Sequence, residues 1–255
     1  MLFCCIGITA CSSLNQGSSR QKAPGPKLVF SDEFNTNGAP DSSKWKYETG
    51  NGEDGWGNKE LQYYTNRPQN VIVQDGVLKI TALKENYMGS AYTSARLLTR
   101  GKYSFKYGRI EVRAKFPAAV GTWPAAWMLG DNIGTAGWPD CGETDIVEHL
   151  GRDLGKIYGT LHYPGHSGGN ADGKTIMIPD AMSVFHTYTV DWSADALKIY
   201  VDDRLYHTVV NTAALPFNQP FFIILNMAMG GNFVGAVDPA FSRATYQIDY
   251  VRVYQ

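Results

Sequence analysis

Hydrophobic and polar residues along this chain keep a period of two. Short alternating or apolar runs recur at 71–73, 77–82, 107–116, 187–192, 197–201, 221–227 and 246–254. Alternation sends successive side chains to opposite faces, and runs of this length are those of strands. Turns rich in Gly, Asn, Asp and Pro separate them, among them Gln74-Asp75-Gly76 and Asp202-Asp203. Helical spacing is scarce; only 42–46 and 213–215 suggest a turn or so of helix. The pattern predicts one all-β domain, a sandwich whose two antiparallel sheets bury alternating residues between them. A closed barrel is the alternative. A concave sheet in such a sandwich supplies an open cleft, where a long polymer lies across the face without threading.

Composition sharpens this. The 255 residues are 44% apolar, enough for a sizeable core, and 15 Tyr and 6 Trp supply flat rings for packing or for stacking on sugars. A net charge of -1 leaves no basic face, so no nucleic-acid partner is expected. Cys4, Cys5 and Cys11 crowd the start and leave Cys141 alone, which excludes a disulfide framework within the domain. The apolar run 2–10 is too short to span a bilayer and ends at Ile8-Thr9-Ala10-Cys11-Ser12. It resembles a bacterial lipoprotein signal, although no Lys or Arg follows Met1. The resemblance implies a leader over 1–11 and a secreted or cell-surface protein, tethered to the outer membrane through a lipid on Cys11. Residues 12–26 read as a flexible linker, and 27–255 as the folded domain, expected to be monomeric.

The chemistry concentrates in Glu143-Thr144-Asp145-Ile146-Val147-Glu148. Three acids beside two β-branched apolar residues are costly to bury unless chemistry uses them. In a plain strand Glu143 and Asp145 share a face and Glu148 takes the other. A β-bulge at Ile146-Val147 resets the alternation and returns Glu148 to the acidic face. Glu143 and Glu148 then lie roughly 13 Å apart along the backbone, and long side chains leaning inward bring the carboxyls to about 5 Å. That spacing suits a retaining glycosidase, in which one carboxylate attacks the sugar and the other protonates the leaving oxygen.

The segment Trp138-Pro139-Asp140-Cys141-Gly142-Glu143-Thr144-Asp145-Ile146-Val147-Glu148 resembles the signature of glycoside hydrolase family 16, in the form found in laminarinases. Other stretches match in order: Ser31-Asp32-Glu33-Phe34, the run 55–65 from Gly55 to Thr65, Tyr92-Thr93-Ser94-Ala95-Arg96-Leu97, Tyr107-Gly108-Arg109-Ile110-Glu111, the run 121–129, the run 225–232 and the run 249–254. The resemblance covers 27–255. It implies a β-jelly-roll sandwich of the concanavalin A-like type and endo-hydrolysis of β-1,3-glucan with retention. By motif position Glu143 matches the nucleophile and Glu148 the acid/base, with Asp145 tuning both. Trp123, Trp127 and Trp138 match cleft-lining rings. Asn58 and Arg96 match residues that hydrogen-bond sugar on the non-reducing side, His162 a histidine near the leaving-group side, and Asn226 a weaker polar match. For Trp127 the competing role is core packing, and for Arg96 a pair with an acid on the sheet. No catalytic cofactor is implied. A structural calcium is, at the Glu33 and Gly76 carbonyls and the Asp249 carboxylate. The chain departs from the family at Thr144, at Phe233 where Trp is frequent, and at Lys59 where Asn is frequent.

Other classes compete. A non-catalytic carbohydrate-binding sandwich needs no acid pair at hydrolytic spacing. A metal enzyme drawing on Asp140, Cys141, Glu143, Glu148 and His149 scatters its ligands over both faces of a strand. Cys141 as a nucleophile sits among acids that raise a thiol pKa. Within the family, mixed-linkage β-1,3-1,4-glucan and galactans such as agarose and carrageenan are alternative substrates.

Overall fold

The structure, a computed structural model, describes residues 1–2 and 25–255. Apart from the first two residues and the last two of the linker, the leader expected over 1–11, with Cys11, and the linker over 12–26 lie outside the described residues. Among the described residues no helix is long and apolar enough to cross a membrane.

The chain begins with β1 (Leu28–Asp32), β2 (Lys46–Glu48), β3 (Gln62–Tyr64), β4 (Val71–Gln74), β5 (Val77–Tyr87) and β6 (Ser90–Ser94). It continues through β7 (Arg96–Leu98), β8 (Gly108–Lys115), β9 (Thr122–Gly130), a single helical turn α1 (Ile133–Ala136), β10 (Glu143–His149) and β11 (Lys156–His162). Last come β12 (Asp172–Met177), β13 (His186–Trp192), β14 (Ala196–Val201), β15 (Arg204–Val210), β16 (Phe221–Met229) and β17 (Arg243–Tyr254). They form two open sheets rather than a barrel. One runs β15-β14-β13-β8-β17-β5-β6-β3, with β1 on β17 and β4 on β5. The other runs β12-β11-β10-β9-β16-β7-β2. Pairing is antiparallel except at β3 with β6, which is parallel.

Alternation builds the space between the sheets. On β8, Ile110, Val112 and Ala114 face the core while Arg109, Glu111, Arg113 and Lys115 face out. β16 breaks this pattern because both its faces are covered. Phe221, Ile223, Leu225, Met227 and Met229 pack into the main core. Phe222 and Ile224 join Leu98, Leu129 and Cys141 under Ile133 and Ala136, so the 131–141 loop roofs one end of the seven-stranded sheet's outer face. Trp138 rides on that roof.

Both expected helical pieces are single hydrogen-bonded turns that go no further, the first closed from Trp45 N to Asp41 O at 2.9 Å. At 42–46 the Asp41 carboxylate accepts from the backbone N–H and hydroxyl of Ser43 at 2.8 and 2.7 Å, and this local turn leads directly into β2. At 213–215 a turn closed from Leu215 N to Thr212 O at 3.1 Å stops at Pro216, which has no N–H to continue it.

Candidate active site

The acids occupy the open face of the seven-stranded sheet, and a bulge aligns them. Across β11, Glu143 pairs with His162, Asp145 with Thr160 and Glu148 with Tyr158. Those three β11 residues alternate along one face. The register slips between Asp145 and Glu148, and against β9 it slips between Asp145 and Val147. Ile146 and Val147 both enter the core, and Glu148 returns to the face of Asp145. The bulge expected at Ile146-Val147 is therefore present. Gly142 starts the strand with φ +75, a backbone favouring glycine, and a Cβ there would touch Phe221 and Pro216 at 3.0 Å.

Each glutamate has its own donor. Trp138 Nε1 donates to Glu143 Oε2 at 2.6 Å, and Trp123 Nε1 to Glu148 Oε1 at 2.9 Å. Thr160 Oγ1 adds a longer contact of 3.4 Å to Glu148 Oε2. His162 Nε2 lies 3.2 Å from Asp145 Oδ2. Its Nδ1 accepts from Gly168 N–H at 3.2 Å, which assigns the ring proton to Nε2, facing Asp145.

Burial dominates the electrostatics. It pushes all three carboxyls up, Glu148 well above the usual range with help from the charges of Asp145 and Glu143. Glu143 is raised by burial and then by Asp145, against His162 and the Trp138 N–H, which favour its charged form. Burial raises Asp145 as well, and its interaction with Glu143 opposes that rise. A retaining pair needs Glu148 protonated and Glu143 ionised; burial and the neighbouring charges favour the first, and His162 and the Trp138 N–H favour the second.

Single donor atoms of Glu143, Asp145 and His162 fall within 4.8 Å of one another. A metal there would need the Nε2 lone pair, which carries the proton. The alternative ligand set does not assemble: Cys141 and His149 are buried, and the His149 ring stacks on Phe116 at 5.1 Å in the core. Burial also pushes the Cys141 thiol up to about 11, which removes it as a nucleophile.

The remaining expected sugar contacts line the same face toward β2. Trp123 and Trp127 are half-buried and point from alternate positions of β9, with Ala125 forming a low floor between them. Arg96 lies between the Trp127 and Trp56 rings, 4.9 and 4.6 Å from their centroids, and its Nε pairs with Glu48 at 2.7 Å. The competing role for Arg96 is thus the observed one: it is charge-neutralised on the sheet. Asn226 is also committed, accepting from Trp127 Nε1 at 2.7 Å and donating to the Tyr64 hydroxyl at 2.9 Å. Asn58 stands on the Gly55–Lys59 loop, where its carbonyl accepts from Asn232 N–H at 2.8 Å. Sequence reasoning gave no role to Trp56, Glu48, Tyr158, Glu60 or Tyr64. For Glu60 and Tyr64 a signal existed: Glu60, Gln62 and Tyr64 set polar groups at every second position entering β3.

The residues expected at a calcium gather elsewhere, beside β17. Asp32 of β1 pairs with Val251 and Leu78 of β5 with Ile248, which brings Glu33 and Gly76 to either side of Asp249. The Glu33 carboxylate holds Arg252 at 2.7 and 2.9 Å, leaving its carbonyl for a cation, but the Asp249 carboxylate is paired with Arg113.

Residues 58–252 match the sequence profile of Glycosyl hydrolases family 16. A beta-glucanase of Rhodothermus marinus is 46% identical over 97% of this chain and 91% of its own length. The X-ray structure of the laminarinase from Rhodothermus marinus superposes with a TM-score of 0.86 at 46% identity, covering 92% of this chain and 99% of that one. A Z. galactanivorans protein solved with laminaritriose and laminaritetraose gives 0.82 at 40% identity, over 90% of this chain and 99% of its own.

Proposed function

The chain belongs to glycosyl hydrolase family 16, and from that premise we propose that it cuts internal β-1,3-glucosidic bonds of laminarin-like glucans with retention of configuration. The observation that carries this is the bulge that sets Glu143, Asp145 and Glu148 against alternate residues of one strand face. Glu143 attacks the anomeric carbon while Glu148 gives its proton to the leaving oxygen; Glu148 then takes a proton from the water that releases the sugar. Glu143 must be ionised to attack, and Asp145, buried beside it, is the group placed to take up its proton.

A neutral glucan fits the groove better than a sulfated galactan. Arg96, the cation beside the Trp127 ring, is neutralised by Glu48 and leaves no free charge for a sulfate there. The indole faces of Trp123, Trp127 and Trp138 suit the apolar faces of glucose units. The laminarinase and beta-glucanase relatives support the same substrate. Incubation with laminarin, lichenan, agarose and carrageenan, followed by sizing of the products, tests it. Laminarin should fall to short oligosaccharides; strong cleavage of agarose with laminarin untouched overturns the substrate.

Two further readings belong to the proposal. The pattern ending in Ala10-Cys11 supports lipid tethering at Cys11 and, with it, a position at the outer membrane, where glucans arrive from outside. The β17 register supports a stabilising calcium at the Glu33 and Gly76 carbonyls, with Asp249 exchanging Arg113 for the cation.

A further inference from the structure

Three donors converge on Glu60. Its Oε2 accepts from Gln62 Nε2 at 2.6 Å and from the Tyr64 hydroxyl at 3.1 Å, and its Oε1 accepts from Asn58 Nδ2 at 3.3 Å. The Tyr64 oxygen in turn accepts from Asn226 Nδ2, and Asn226 Oδ1 accepts from Trp127 Nε1. Every bond in this series points the same way. Indole N–H feeds amide oxygen, amide N–H feeds phenol oxygen, and phenol O–H feeds carboxylate. The direction is forced, because an indole nitrogen only donates. Such a series needs an end that only accepts, and an ionised carboxylate is that end. A second branch ties the same carboxylate to β16, since Gln62 Oε1 accepts from Met229 N–H at 2.7 Å.

We propose that Glu60 is a positioning residue for glucan binding, whose carboxylate terminates the donor series and so fixes the Trp127 ring and the Asn58 amide before substrate arrives. The proposal rests on the reading of this face as the glucan cleft. Glu60 precedes β3, in the sheet opposite the one that carries the reacting acids on β10, so it acts on binding and not on bond cleavage. The Gly55–Lys59 loop makes such an anchor necessary. Asp54, Trp56 and Lys59 all take left-handed φ values of 48, 57 and 57, a conformation that L side chains hold only under constraint.

Charge state matters here. Burial raises the Glu60 carboxyl, while Arg96 and the three donors hold it down. Arg96, itself paired with Glu48, and Tyr64 are the ionisable groups that face it; the Lys59–Asp54 pair lies outside on the surface. Protonated Glu60 becomes a donor and confronts the Tyr64 hydroxyl or the Asn58 amide. The tyrosine proton must then turn toward Asn226 Nδ2, another donor, and the series loses its order.

Two substitutions and a resonance test this. In E60Q the carbonyl keeps some donors and the new NH2 opposes the rest; in Y64F the series is cut one step earlier. Both should raise KM for laminarin about tenfold while kcat stays within about threefold, with melting temperature measured to confirm folding. In the 15N–1H spectrum of the wild type, the Trp127 indole signal, assigned by its loss in W127F, should shift with pH as Glu60 titrates. That shift should vanish in E60Q and Y64F. Unchanged KM in both variants, or a Trp127 signal titrating in E60Q as in wild type, overturns the role of Glu60. The resonance needs no turnover, so failure of the wild type to cut laminarin would count against the substrate alone.

Discussion

Trp138 donates its indole N–H to Glu143 Oε2 at 2.6 Å from a ring that is 49% exposed. The bond stabilises the charged carboxylate against burial and the neighbouring Asp145. Replacing Trp138 by Phe keeps most of the ring and removes the donor. Glu143 then rises further, so the acid limb of the kcat/KM profile should move to higher pH and kcat/KM at neutral pH should fall about tenfold. An acid limb that stays in place would show that the bond does not set the nucleophile's charge.

Asp145 acts on both glutamates. Its charge raises Glu148 and Glu143, so D145N should lower both. The alkaline limb of the rate profile, where Glu148 loses its proton, should shift to lower pH, and kcat should drop by about 10²-fold. A pH-rate profile of the variant checks this; a shift toward higher pH would contradict it.

The acidic stretch shows how far the sequence carries. Odd spacing of Glu143, Asp145 and Glu148 demands a bulge, and the register places one at Asp145–Glu148. β4, β5, β8, β13, β14, β16 and β17 were legible as alternating or apolar runs, whereas β1, β6, β9, β11, β12 and β15 were not picked out. Nor were β2, β3 and β7, being three residues each and too short to display a period. The roof over Phe222 and Ile224 was hidden for another reason: a run buried on both sides looks the same whatever covers it. Arg96 remained ambiguous between sugar and acid because Glu48 reaches it only through the pairing of β2 with β7. Glu60 gained no role from its motif, since its partners come from a loop, β3 and, through Tyr64, β16.

Lys59 occupies φ +57, where the family often has Asn. Asn tolerates the left-handed region better than a long side chain, and the Lys59–Asp54 contact it would replace is exposed at both ends. K59N should therefore stabilise the protein by roughly 0.5–1 kcal/mol. Thermal unfolding reads this as a rise of a few degrees; a fall would mean the surface pair outweighs the backbone strain.

His149 is buried with both ring nitrogens unpartnered, and burial lowers its pKa to about 4. Between about 6.5 and 4 the unfolded chain binds the proton and the folded one does not, so stability falls as pH drops through that window. The loss saturates below it, at on the order of 2–3 kcal/mol. H149F keeps the stack on Phe116 and should flatten the melting temperature across this range. Equal acid sensitivity in wild type and variant would refute the assignment.

The central claim is that Glu143 and Glu148 form a retaining pair. Proton NMR of laminarin hydrolysis, recorded before mutarotation, reads the configuration of the newly formed reducing end directly. The β-anomer should appear first, with the α-anomer growing in later; an α-anomer formed first would contradict attack by Glu143 and with it the double displacement.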